Sequence, residues 1–121
     1  MINNKYFCNY GYEVATPQYL HRTTSYNKHR YHGVVFIVTS THMPATHPSE
    51  CITTGRIELD MTSLDSCDHS ITTGGSFCWW KDWLTNGEVT YFKWSAKPNS
   101  TLRKQYSHDY SDYFYLNWVG L

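Results

Sequence analysis

The chain has 121 residues, with ten basic and ten acidic side chains and a formal net charge of zero. That balance excludes bulk nucleic-acid binding, which rests on an excess of Lys and Arg over phosphate. Five Trp, eleven Tyr and five Phe supply more aromatic surface than so small a core needs. The length predicts a single domain over residues 1–121.

In chain order, Lys5 to Val14 predicts the first strand, with Tyr6, Cys8, Tyr10, Tyr12 and Val14 on one face. Thr16-Pro17 breaks it, and residues 17–29 predict a polar loop or short irregular helix. Arg30 to Thr41 predicts a central strand, because Val34-Val35-Phe36-Ile37-Val38 is continuous, β-branched and aromatic. Pro44 and Pro48 mark a loop. Arg56 to Met61 alternates, with Ile57, Leu59 and Met61 against Arg56, Glu58 and Asp60, and predicts a half-buried strand. Ser63 to Ser76 predicts a polar loop containing Gly74-Gly75.

Asn86-Gly87 then predicts a type I′ hairpin between Phe77–Thr85 and Glu88–Ser95. Its register would place Trp79, Trp83, Phe92 and Trp94 on one face and Trp80, Leu84, Val89, Tyr91 and Lys93 on the other. A helical turn is expected over Asn99–Tyr106 and a last strand over Asp112–Val119. The expected fold is mainly β: a small curved antiparallel sheet or barrel of five to six strands with one short helix.

The longest apolar run, Val34–Val38, is too short to span a bilayer, and residues 1–5 do not resemble a signal peptide. No membrane association is expected, and the expected location is cytoplasmic, with the four cysteines as free thiols.

Candidate chemistry is sparse. His42, His47, Cys51, Cys67 and His69 have residue types that suit zinc but lack a Cys-x-x-Cys spacing, so no metal and no cofactor is assigned. No Gly-x-Ser-x-Gly elbow supports a nucleophile, and no catalytic residue is assigned. Gly74-Gly75 would let backbone amides approach an anion, but no Lys or Arg follows at a phosphate-binding offset. Tyr31-His32-Gly33 resembles the Tyr-His-Gly of ADP-ribosyltransferases, which implies an NAD site and a catalytic Glu, with Glu88 at a plausible distance.

Two binding sets remain. Trp80, Tyr91 and Lys93, on one hairpin face, are the expected partner-binding surface, for another protein or a second copy. Tyr19, His21, Arg22, Tyr26, Arg30 and His32 form the alternative, a pocket for a small nucleotide-like ligand. In general character the chain resembles small accessory proteins of bacteriophages and mobile elements, some of which inhibit host enzymes. The expected function is therefore a non-enzymatic protein-binding inhibitor, placed in the host cytosol if phage-encoded. The alternatives are a small-ligand binder and a His/Cys enzyme, with or without zinc.

Overall fold

The structure, a computed structural model, describes residues 9–38 and 56–121. Its elements in order are helix α1 (Pro17–Arg30), helix α2 (Ile57–Asp65), strand β1 (Ser70–Thr72), helix α3 (Ser76–Leu84), strand β2 (Val89–Tyr91), a 3-10 turn (Arg103–Gln105) and strand β3 (Val119–Gly120). The three strands form one sheet in the order β1-β2-β3, and both pairings are parallel. This is a mixed α/β arrangement and overturns the expected antiparallel β sheet or barrel. Among the described residues no helix is long and apolar enough to cross a membrane.

Thr16-Pro17 starts a regular 14-residue helix over the segment expected as a polar loop or a short irregular helix. The Thr16 hydroxyl accepts from the Tyr19 amide at 3.2 Å, and Pro17 occupies the first turn, where its missing N–H is not needed. Lys28, His29 and Arg30 complement the negative end of the dipole. The buried stripe is Tyr19, Thr23 and Asn27, at helical spacing but mostly polar. These side chains bond their own helix: the Thr23 hydroxyl donates to the Tyr19 carbonyl at 3.1 Å, and Asn27 Nδ2 to the Thr23 carbonyl at 2.8 Å. Their burial therefore strands no donor.

Residues 56–61 are helical, not extended. Ile57, Met61 and Leu64 fit a helical spacing as well as the alternation suited a strand, and Glu58 and Asp60 sit favourably in the first turn. In the expected central strand, residues 34–37 carry no strand assignment; Val38 forms a single bridge, and Val35 is 74% exposed.

The predicted hairpin does not exist. Its first arm is α3, and its second arm contains β2, which pairs in parallel with β1: Ser70 with Val89, Ile71 with Thr90, Thr72 with Tyr91. Neither Asn86 nor Gly87 is among the residues with positive φ, so no type I′ turn forms. Gly87 is there for another reason: a Cβ on it would run into the Asp68 carbonyl oxygen and lie 2.6 Å from His69 Nδ1. The expected last strand is mostly a series of turns, with only Val119–Gly120 joining the sheet.

Among the described residues the buried hydrophobic ones are Tyr19, Val89, Phe92, Ala96 and Leu102, with the Tyr19 and Phe92 rings 5.0 Å apart. Much of the aromatic load lies outside this set, where Trp79 meets Tyr113, Tyr115 and Trp118, and Tyr91 stacks on Phe114 at 3.8 Å.

Candidate active site

A parallel strand followed by a helix that returns along it exposes two things at the strand's carboxyl end: the connecting turn and the helix N-terminus. Here β1 ends at Thr72, and Thr73-Gly74-Gly75 leads into α3. Gly74 and Gly75 have φ of +122° and +92°, a region that side chains other than glycine's rarely tolerate. Among the described residues a Cβ on Gly75 would meet nothing within 4 Å, so none of them closes the turn on that side. Gly75 is the N-cap of α3, and among the described residues no side chain caps the helix. An open glycine turn feeding an uncapped helix of nine residues is suited to an anion.

The carboxyl end of β2 lies on the same edge. Phe92 is buried, Lys93 and Trp94 are exposed, and Ser95 is buried with its Cβ 3.8 Å from the position of a Gly74 Cβ. Lys93 Nζ stands 5.4 Å from the Trp94 ring centroid. The edge thus combines backbone amides, one ammonium and one exposed indole.

Beneath this edge is a buried polar cluster between β1 and α3. Lys81 Nζ is 2.7 Å from Asp82 Oδ1, the Ser70 hydroxyl donates to the same oxygen at 2.5 Å, and Lys81 also bonds Ser70. Burial holds the Asp82 carboxyl above its ordinary range, against the downward pull of Lys81, Ser70 and Thr72. The Tyr19 hydroxyl donates to the Thr72 carbonyl at 2.6 Å. Burial first, and then the Asp82 charge, raise its pKa, which keeps it a neutral donor.

The residues singled out in the sequence are dispersed. Trp80 is 53% exposed on α3, Tyr91 is half-buried in β2, and Lys93 is at the carboxyl edge; the ribbon face that grouped them is absent. In the alternative set Tyr19 is fully buried, His21 and Arg22 are exposed on α1, and Tyr26 is half-buried. Arg30 and His32 line a cleft of about 730 Å³ together with Cys67, His69 and Lys81. Tyr31 stacks on His69 at 3.8 Å, and Arg30 pairs with Glu88 at 3.3 Å. Of the zinc set, Cys67 and His69 border this cleft, while His42, His47 and Cys51 lie outside the described residues. Among the described residues no group of three or more His, Cys, Asp or Glu is placed to hold a metal.

Residues 7–121 match glycosyl transferase family 11. The chain belongs to that family. It is 27% identical over 119 residues to galactoside 2-alpha-L-fucosyltransferase Sec1 of Mus musculus, covering 89% of this chain and 32% of that protein. It is 28% identical over 119 residues to galactoside alpha-(1,2)-fucosyltransferase 2 of Gorilla gorilla gorilla, with 89% and 34% covered. Against galactoside alpha-(1,2)-fucosyltransferase 1 of Saimiri boliviensis boliviensis the identity is 26%, with 89% and 32% covered. The chain therefore spans about a third of the length of these relatives. No solved structure matches it.

Membership in this family of enzymes overturns the expectation of a non-enzymatic inhibitor or phage accessory protein. It also replaces the ADP-ribosyltransferase resemblance of Tyr31-His32-Gly33, whose Glu88 is engaged with Arg30. The sequence signal available for this edge was Gly74-Gly75 directly after Ser70-Ile71-Thr72-Thr73 and ahead of the Trp-rich segment that forms α3.

Proposed function

We propose that this chain forms part of a glycosyltransferase that moves a fucosyl unit onto the 2-hydroxyl of a galactoside. In that reading the carboxyl edge of the sheet receives the phosphate-bearing end of the activated sugar donor. The observation that carries it is the open Gly74-Gly75 turn feeding the uncapped α3. The relatives, galactoside 2-fucosyltransferases by name, supply the sugar and the hydroxyl.

The chemistry suits such an edge. The acceptor hydroxyl oxygen forms a bond to the anomeric carbon as the bond from that carbon to the donor's phosphate oxygen breaks. The hydroxyl proton leaves with a base, and the electron pair stays on the phosphate. Negative charge therefore grows on the leaving group. Helix-terminal amides stabilise that charge without reorganising, and Lys93 adds a positive charge on the same edge. Trp94 offers a face on which a base ring can stack.

Titration calorimetry of the folded chain with GDP and with UDP tests the reading. Binding of either, lost in Gly75→Val, is the expected result. A folded chain that binds neither overturns it.

A further inference from the structure

The Gly74-Gly75 turn has no side chains of its own to hold it, so its aim is set at its root. That root is Thr72, the last residue of β1. Its carbonyl accepts the Phe92 amide at 3.2 Å as part of the sheet, and the Tyr19 hydroxyl at 2.6 Å from α1. The shorter bond comes from outside the sheet. The Tyr19 ring alone would fill the core against Phe92, and a phenylalanine there would pack as well. The hydroxyl adds only the bond to Thr72, and Tyr19 is 0% exposed, so water does not compete for it.

We propose that Tyr19 is a positioning residue, whose hydroxyl ties α1 to the root of the glycine turn and fixes the direction of the amides that meet the donor's phosphate. This rests on the donor reading above. Tyr19 does not touch the donor; it acts through Thr72. Its position on α1 also makes the anion turn sensitive to how α1 is seated, although the two are far apart in the chain.

The test is Tyr19→Phe, which removes one oxygen and keeps the ring, with two readouts. Amide hydrogen exchange at Gly74, Gly75 and residues 76–78 is compared with that of α1 and β2 in the unliganded chain. The GDP and UDP dissociation constants are then measured for both proteins. The expected result is about tenfold faster exchange confined to the turn and the first turn of α3, and about fivefold weaker nucleotide binding, the size of one neutral hydrogen bond. Thr23→Val, which alters the same buried stripe of α1 without touching Thr72, should leave both readouts at the wild-type value. Unchanged exchange at Gly74 and Gly75 in Tyr19→Phe overturns the positioning role, whatever the nucleotide data say. Faster exchange with unchanged affinity also overturns it. If the wild-type chain binds neither nucleotide, the donor reading itself fails and the positioning role falls with it. A general loosening, with exchange rising equally across α1 and β2, marks the hydroxyl as purely structural and overturns the proposal too.

Discussion

The two ends of α3 both carry glycine, and they use it in opposite ways. At the N-terminal end Gly74 and Gly75 have positive φ, and a side chain on Gly75 would meet none of the described residues. At the C-terminal end Gly87 has no unusual φ, and a side chain would strike the Asp68 backbone. One end needs glycine for its backbone shape and is left accessible; the other needs it for close approach and is packed shut. The contrast separates a site from a seam: damage at the seam should register in stability, and damage at the turn in binding.

The largest expected effect tests the seam. Gly87→Val should cost more than about 3 kcal/mol in urea unfolding, because the obstacle is a backbone carbonyl that cannot swing aside. Unchanged stability would mean that the α3–β2 connection is not packed against Asp68.

Next comes the charge pair midway along the helix. Asp82→Ala should cost about 3 kcal/mol, since it removes the oxygen that accepts from Lys81 and Ser70, both buried. The carboxyl also has a pH signature. Asp82 has a folded pKa raised by burial, so the native state binds its proton more tightly than the unfolded chain does. Its stabilising contribution is present below the ordinary carboxylate range of about 4 and is lost as pH rises through the raised value. Urea midpoints of the wild type relative to Asp82→Ala should fall over that window. A rising difference would reverse the direction assigned to Asp82.

Gly75→Ala sharpens the other end. The strained φ should cost about 1–2 kcal/mol of stability. The same change should weaken nucleotide binding by more than that loss explains, as read by calorimetry under fully folded conditions. An equal loss in both would make the turn merely structural.

The smallest stability effect is expected at Trp94→Ala. Trp94 is 59% exposed, so folding should change by less than about 0.5 kcal/mol. Nucleotide affinity should still drop about tenfold if the ring stacks on the base. A variant that binds like wild type removes Trp94 from the site.

Only part of this was legible in the sequence. Asn99–Tyr106 reads as a helical turn, and the structure holds a 3-10 turn at Arg103–Gln105. Glu88–Ser95 reads as a strand, and it contains β2. Gly74-Gly75 reads as a turn, and both glycines have positive φ in the structure. The helices were hidden for distinct physical reasons. The buried face of α1 is Tyr19, Thr23 and Asn27, so it lacks the apolar stripe on which a helix is recognised. Over residues 56–61 alternation and helical spacing both fit, and six residues are too few to separate them. In α3, Trp79, Trp80, Trp83 and Leu84 also suit either period, and Asn86-Gly87 tipped the reading toward a hairpin. A parallel sheet is a further difficulty, because its pairings are not local and no turn announces them. In α3 the error was to read aromatic content as strand.

The register of β3 also bears on how the chain acquires its shape. Tyr91 and Gly120 are partners in the sheet, yet a long stretch of turns separates them along the backbone. The β1–α3–β2 unit closes over short connections, whereas β3 must wait for a large loop to close before its two residues are rewarded. Until then β2 presents an unpaired edge, and the rings of Tyr91 and Phe114 have yet to meet. The refolding rate should therefore be set by this last docking step, and the edge of β2 is where a nascent chain would be most prone to stick to its neighbours.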